Sequence, residues 1–471
     1  MIYRASKSLV VVLLLLFSSS SFAQTASDPS ISSSLQQILD SEFASQSALG
    51  KSFAVVFPDE SVWTGVAGMS DPTIQDPIRP DHQFGFASIT KTFIAAAALK
   101  LVEEGKLDLE DRISAWLSPM TYVNSGITVR QLLGHTSGLY NFTNYANLIQ
   151  VLLADTSHVY TPAEVLSTFL GPPAFFAGTD ARYSNSNYIM LDMIIEAAAG
   201  EPIGSYLKSN VFAPAELMDT VYPVYESPRG ELATAWYDYS GDGVADNFSG
   251  FFSSTSLSST RGAAGSIIST ATDIAKWGAA LYGANILAPT SKSEMLTFHN
   301  LSGQNATWTG YGLGAQRYNF GGVEAWGHSG LVTGETSLLV YSPELDVSIA
   351  MVDNNAASNH FSSALALFNY LSSVTLTGVD QEEFPTSSTP DVFPNPGIGS
   401  QKTYFEIASS DVHADRLTVF DALGREVYSS EFSRGTRVEW EPSSETPSGV
   451  YFYHLSSDQG TISSGSFLRI Q

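Results

Sequence analysis

Ser88 and Lys91 lie three residues apart in Phe84-Gly-Phe-Ala-Ser-Ile-Thr-Lys-Thr-Phe93, at the head of an apolar run. If a helix begins near Ser88, positions i and i+3 share a face and Oγ can meet Nζ. A helix N-terminus favours negative charge, which suits a forming alkoxide. Serine needs such help, because its hydroxyl is a weak nucleophile at neutral pH. The same residues also describe an ordinary helix cap followed by a surface lysine. Ser205-Tyr-Leu-Lys208 repeats the pattern, so spacing alone does not choose between the two readings.

Two further patterns could complete the chemistry. In Tyr183-Ser-Asn185 a phenol can relay protons if a neighbouring ammonium lowers its pKa. The asparagine two residues on can hold both the lysine and a substrate amide. Tyr122-Val-Asn124 and Tyr145-Ala-Asn147 fit the same pattern, and a turn tyrosine explains all three. His328-Ser-Gly330 is the single His-x-Gly of the chain. It precedes strand-like residues, and Gly330 has no side chain to block a substrate lying along that strand. A lone histidine is also an ordinary structural residue.

These residues must be positioned by regular elements. Lys91 to Glu104 is rich in helix formers and stops at Gly105. Tyr188 to Ala199 and Ala271 to Tyr282 also read as helices. Leu338 to Tyr341 and Val347 to Val352 are apolar strands split by Ser342-Pro-Glu-Leu-Asp346. Helices and strands interleave, which implies an α/β or α+β domain over residues 24–375. Residues 376–391 have linker composition. Residues 392–471 read as a small β-sandwich, with strands in Arg416 to Tyr428, Gly449 to Leu455 and Gly465 to Ile470.

The N-terminus has the parts of a secretory signal over residues 1–23: Arg4 and Lys7, an apolar run from Leu9 to Phe17, and small residues at Ser21-Phe-Ala23. The run is short for a bilayer span, so export rather than anchoring is expected. The chain has 47 acidic and 22 basic residues and a formal charge of −25. That balance argues against nucleic acid, whose binding rests on basic side chains neutralising phosphate. With no cysteine there is neither a thiol nucleophile nor a thiolate metal site. No Gly-x-Ser-x-Gly elbow or zinc spacing occurs among the motifs, and neither a cofactor nor a metal is expected. Asp238-Tyr-Ser-Gly-Asp-Gly-Val-Ala-Asp246 is spaced somewhat like a calcium loop but lacks the closing glutamate, and a solvated acidic turn is the plainer reading.

Taken in order, these stretches resemble the serine β-lactamase and penicillin-binding superfamily, in the branch of class C β-lactamases, D-Ala-D-Ala carboxypeptidases, esterases and D-aminopeptidases. The resemblance runs over most of residues 30–370. It is carried by the Ser88 segment, Ile127-Thr-Val-Arg-Gln-Leu-Leu-Gly-His-Thr-Ser-Gly-Leu139, Tyr183 to Glu196, Gly265 to Ala275 and Gly327-His-Ser-Gly-Leu-Val-Thr-Gly334. It sets aside Ser205, Tyr122 and Tyr145, which do not occupy the matching positions. It implies an antiparallel sheet flanked by helices (α+β, layered α/β/α) with a helical subdomain beside it. It implies that Ser88 is acylated, that Lys91 and Tyr183 move the proton, and that Asn185 orients Lys91 and the substrate. The substrate then lies along His328, Ser329, Gly330 and Leu331, and the N–H groups of Ser88 and Leu331 form the oxyanion hole. His135-Thr-Ser-Gly138 recurs in the family and is expected to shape a turn.

Where many β-lactamases carry Lys-Thr-Gly, this chain has His328-Ser-Gly330. Histidine offers a cation only when protonated. A peptidase or esterase is therefore expected ahead of an efficient β-lactamase, with a catalytically silent peptide- or lactam-binding domain as the alternative of another class. The tail resembles the C-terminal sorting domain of type IX secretion substrates, through Val392-Phe-Pro-Asn-Pro396, Val419 to Gly424 and Ser448 to Tyr453. That resemblance implies the export machinery as a partner and a location outside the cytoplasm.

Overall fold

The computed structural model describes residues 28–375 and most of 391–470; in the first stretch Tyr239 and residues 250–253, 285, 303–307 and 357–358 are not described. The expected signal segment and most of the expected linker, 376–390, lie outside the described residues. The chain divides into two compact units between Gly378 and Val379.

The first unit is built on an eight-stranded antiparallel sheet. Its strands are β1 (Gly50–Val56), β2 (Val62–Asp71), β3 (Asp76–Pro77), β8 (Gly310–Tyr311), β9 (Gln316–Phe320), β10 (Val323–Val332), β11 (Glu335–Ser342) and β12 (Val347–Asp353). The spatial order is β3-β2-β1-β12-β11-β10-β9-β8. Two short pairs stand apart from it: β4 (Phe84–Gly85) with β7 (Ile268–Ser269), and β5 (Trp236–Tyr237) with β6 (Asp246–Asn247). The helices are α1 (Pro29–Ser45), α2 (Thr90–Glu103), α3 (Val129–Leu133), α4 (Leu148–Ala154), α5 (Pro162–Phe169), α6 (Asn185–Ala199), α7 (Ile203–Leu207), α8 (Ser254–Arg261), α9 (Ala271–Gly278), α10 (Pro289–Met295) and α11 (His360–Thr375).

The loose alternation of the strand sequences has a simple cause: both faces of the sheet are covered, so both sets of side chains are apolar. Phe53, Val55, Leu338, Val340, Ile349 and Met351 pack with Leu35 and Leu39 of α1 and Leu367 and Phe368 of α11. The alternate positions Ala54, Val56, Leu339, Ala350 and Val352 join a second core with Ile274 and Trp277 of α9 and Phe93 of α2. The result is the expected helix–sheet–helix layering.

Helix α2 lies at the centre of this second core. Its residues Thr90 to Leu99 are all buried, so it shows no polar stripe, as expected for an interior helix. Phe93 stacks on Trp277 with centroids 4.3 Å apart, and Trp277 Nε1 donates to Thr92 Oγ1 at 2.8 Å. The helix ends where the sequence places the break, with Gly105 at φ +66° just beyond Glu104.

In the second unit, β13 (Asp391–Phe393), β15 (Thr403–Glu406) and β18 (Arg437–Trp440) form one sheet. The strands β14 (Gly397–Ile398), β16 (Arg416–Phe420), β17 (Glu426–Glu431), β19 (Gly449–Ser457) and β20 (Gly460–Ile470) form another. Phe405, Val438 and Trp440 from the first meet Leu417, Val419, Tyr451 and Tyr453 from the second in one small core. This is a small all-β unit. No helix among the described residues is long and apolar enough to cross a membrane.

Candidate active site

The chain reaches Ser88 through a strained residue. Ala87 has φ +50°, a conformation that L residues adopt at a cost and that often marks functional turns. Ala87–Ile89 form a 3₁₀ turn that runs into α2, so Ser88 sits just ahead of the α-helix and Lys91 on its first turn. The i, i+3 geometry brings Lys91 Nζ to 3.1 Å from Ser88 Oγ. Tyr183 comes from the residues just before α6 and donates its hydroxyl to Ser88 Oγ at 2.9 Å. Asn185, the first residue of α6, accepts from Lys91 Nζ through Oδ1 at 2.8 Å.

The third partner of Lys91 is the carbonyl of Ala264, 2.5 Å from Nζ. An ammonium can serve all three acceptors. A neutral amine can serve Asn185 and Ala264 and turn its lone pair to the Ser88 hydroxyl. The environment favours the neutral form, because complete burial draws the Lys91 pKa well below the usual lysine range. The Tyr183 phenol moves the other way from the expectation of a lowered pKa. Its burial raises the pKa, and that outweighs the opposing bond to Ser88. The resting site therefore holds a protonated phenol, and burial draws the lysine toward the amine form that can accept a proton.

On the sheet side, β10 and β11 pair with His328 opposite Leu339 and Leu331 opposite Thr336. Strand β9 stops pairing at Gly327 opposite Gln316, leaving the following residues of β10 with a free edge. Ser329 N–H turns to that edge and meets Gln316 Oε1 at 2.8 Å. With the two-residue period of a strand, Leu331 N–H faces the same open side. The Leu331 side chain is 69% exposed.

Gly330 has a role the sequence did not reveal. A Cβ built there would lie 2.3 Å from Ser337 Oγ, 2.4 Å from the Phe86 carbonyl oxygen and 3.1 Å from Ala87 Cβ. The missing side chain lets β10 lie directly against the turn that carries Ser88. It packs the site together, rather than only clearing a path for substrate.

His328 is 1% exposed and lies beneath the site, not on its wall. Its Nδ1 is 2.6 Å from the Ser329 carbonyl, which can only accept, so the ring proton is on Nδ1. The bare Nε2 faces the Tyr311 hydroxyl at 3.2 Å. Tyr311 in turn meets His135 Nε2 at 3.1 Å. His135 Nδ1 accepts from Ser184 N–H at 3.3 Å and from the Asn187 amide at 2.9 Å, so its own proton is on Nε2. Every tautomer in this chain follows from its partners. Burial pushes the His328 pKa down to about 3, so the ring is neutral.

His135, read from sequence as a turn former, does have the left-handed φ of +58° that suits a turn, and it also ends this buried network. Tyr311 carried no sequence signal; it lies 176 residues from His135. Of the acidic loop, the Asp238 carboxylate accepts from Gly241, Asp242 and Gly243 N–H at 2.6, 3.2 and 2.8 Å, so it caps its own turn. Asp76, His82 and Glu231 bring metal-ligand atoms within 4.8 Å of one another. Arg79 already pairs with both carboxylates there, at 3.0 and 2.6 Å, and supplies the positive charge.

Residues 391–466 match the secretion system C-terminal sorting domain. The chain is 28% identical over 289 residues to a D-aminopeptidase of Brucella anthropi, covering 60% of this chain and 51% of that protein. It is 31% identical over 168 residues to penicillin-binding protein 4* of Bacillus subtilis, covering 34% of this chain and 36% of that protein. The chain thus spans about a third to a half of these two relatives. Among solved structures, a D-stereospecific amidohydrolase from Streptomyces sp. superposes with a TM-score of 0.61 at 28% identity, over 71% of this chain and 97% of the other. The D-amino acid amidase of Ochrobactrum anthropi SV3 complexed with L-phenylalanine amide superposes with a TM-score of 0.63 at 26% identity, over 74% and 98%. The Beta-lactamase family model matches residues 35–369, well over half of the sequence, and the chain belongs to the β-lactamase family.

Proposed function

We propose that the chain is an exported serine hydrolase that opens amide or ester bonds through an acyl-enzyme on Ser88. The activity is of the D-Ala-D-Ala carboxypeptidase, D-aminopeptidase or esterase kind. The observation that carries this is the contact of one serine oxygen with two proton carriers, Lys91 Nζ at 3.1 Å and Tyr183 Oη at 2.9 Å. In the reaction, Oγ bonds to the substrate carbonyl carbon and its proton passes to Lys91. The carbonyl electron pair moves onto oxygen, where the N–H groups of Ser88 and Leu331 stabilise it; such donors contribute about 3–4 kcal/mol each. When the tetrahedral species collapses, the leaving group takes a proton by way of Tyr183. Water then attacks the acyl-enzyme by the same route and releases the acid.

Asn185 keeps Lys91 in place and offers its amide toward the substrate. Ser329, Gly330 and Leu331 supply the strand edge, and His328 supports them from below. Export is supported by the match to the sorting domain over residues 391–466 and by the signal-like start of the sequence. A β-lactam is a strained amide that the same serine can open, and the family match makes this the second reading.

The test is a fluorophosphonate label followed by peptide mass mapping. Wild-type protein is expected to carry the label on Ser88 and Ser88→Ala to carry none. If wild type stays unlabelled while it binds D-Ala-D-Ala peptides or lactams as tightly as Ser88→Ala does, the domain is a silent binder.

A further inference from the structure

The buried chain beneath β10 bears on which leaving groups the site accepts. His135, Tyr311 and His328 are each at most 1% exposed, and both nitrogens of each histidine ring are spent. To become cationic, His328 would need a proton on Nε2, where the Tyr311 hydroxyl already places its own. That hydroxyl is held from the other side by His135 Nε2–H at 3.1 Å, and His135 is itself pinned by the backbone N–H of Ser184. The histidine of His328-Ser-Gly330 is therefore locked as a neutral residue and offers no face to a ligand.

Among the described residues, the groups near the Ser329–Leu331 end of this strand are neutral, buried or already paired. Ser329 Oγ donates to Gln316 Oε1 at 3.1 Å, and Ser337 Oγ donates to the Phe86 carbonyl at 3.0 Å. Lys91 is engaged by Ser88, Asn185 and Ala264. Arg261, at the end of α8, is desolvated by burial, with Glu335 the acidic group acting on it, and Arg182 pairs with Asp180 at 3.0 Å. The end of β10 presents Leu331, an exposed apolar side chain. A carboxylate brought here would lose water without gaining a free cation, which is unfavourable. The charge of −25 on the chain adds a general repulsion of anions.

We infer that the site takes esters and amides whose leaving group carries no carboxylate. This rests on the serine hydrolase reading and narrows it, favouring aminopeptidase-, amidase- or esterase-like substrates over peptides that lose a C-terminal amino acid.

The experiment compares matched pairs that differ in one charge: methyl 3-acetoxybenzoate against 3-acetoxybenzoate, and N-acetyl-D-alanyl-D-alaninamide against N-acetyl-D-alanyl-D-alanine. Full-chain protein is used at 0.15 M and 1 M salt, the latter screening the general field. Within each pair that is turned over, kcat/KM is expected to favour the neutral member by about tenfold or more at both salt concentrations, the value of one missing charge-assisted bond. Leu331→Lys puts an ammonium at the exposed strand end and is expected to shift the ratio toward the charged ester by about tenfold. Equal or faster turnover of the charged members overturns the inference, as does an unchanged ratio in Leu331→Lys. Fluorophosphonate labelling separates the two readings. If Ser88 labels and the preference is absent, only the leaving-group inference falls. If Ser88 does not label and neither pair is hydrolysed, the hydrolase reading falls and takes the inference with it.

Discussion

Gly330→Ala tests the proposition that the strand edge and the serine turn form one packed unit. The added Cβ would meet Ser337 Oγ at 2.3 Å, a side chain that can rotate, and the Phe86 carbonyl at 2.4 Å, which is backbone and cannot. Relief requires β10 to move away from Phe86 and Ala87. Overpacking of this kind costs about 1–3 kcal/mol. Displacing Ser337 also breaks its bond to Phe86 O, worth about 1 kcal/mol. A loss of about 2–4 kcal/mol in stability is expected, read as a fall in Tm. The effect on chemistry should be larger. Leu331 is the next residue of the displaced strand, and loss of one oxyanion donor lowers rates by about 10²–10³. The assay is the second-order rate of Ser88 labelling by a fluorophosphonate, followed by intact mass. The double variant Gly330→Ala/Ser337→Ala should recover little, because the Phe86 carbonyl remains. Wild-type labelling and Tm in Gly330→Ala would refute the argument. Wild-type rates recovered in the double variant would show that only Ser337 was in the way.

Further expectations follow from the same contacts. Tyr183→Phe removes a positioned proton carrier and should slow ester turnover by about 10²–10⁴, with folding little changed by circular dichroism. Burial pushes the carboxyls of Asp192 and Glu335 up to about 7. The folded chain thus holds protons that the unfolded chain releases between the ordinary carboxyl range and neutrality, so stability should fall as pH rises through that window. Asp192→Asn and Glu335→Gln should each flatten the dependence of Tm on pH there; a slope unchanged in both variants would contradict this. A chain ending at Gly378 should keep the Tm of the first unit and the labelling of Ser88, yet fail to appear outside cells that possess a type IX export system, as measured by fractionation.

The sequence made the fold legible where local chemistry decided it. Alanine-rich α2 ended at Gly105 as its composition indicated, and the two apolar strands split by Ser342-Pro343 became β11 and β12. The Ser88–Lys91 contact was legible too, since i, i+3 spacing is a local property. What local spacing could not separate was Ser88 from Ser205, which only the order of the longer stretches set apart. Lys208 is exposed and pairs with Glu226 at 2.8 Å, whereas Lys91 is buried against Asn185 and Ala264. That difference is made by residues 94 and 173 positions away, beyond any local pattern.

The same argument explains the reversals at Tyr183 and Gly330. A lysine next to a phenol suggested a lowered phenol pKa, a pairwise view in which the solvent is held constant. In the folded chain Tyr183 and Lys91 are buried together, and desolvation acts against the charged form of each. Burial disfavours an ion pair here and favours a neutral acid beside a neutral base, which is the state a proton relay needs before substrate arrives. For Gly330 the sequence suggested space for a ligand, but the space is filled by Phe86, Ala87 and Ser337. Both cases concern how closely distant segments approach. At this site that approach sets the protonation states as well as the shape: the His328 ring is buried beneath β10 against Tyr311, and burial keeps it neutral.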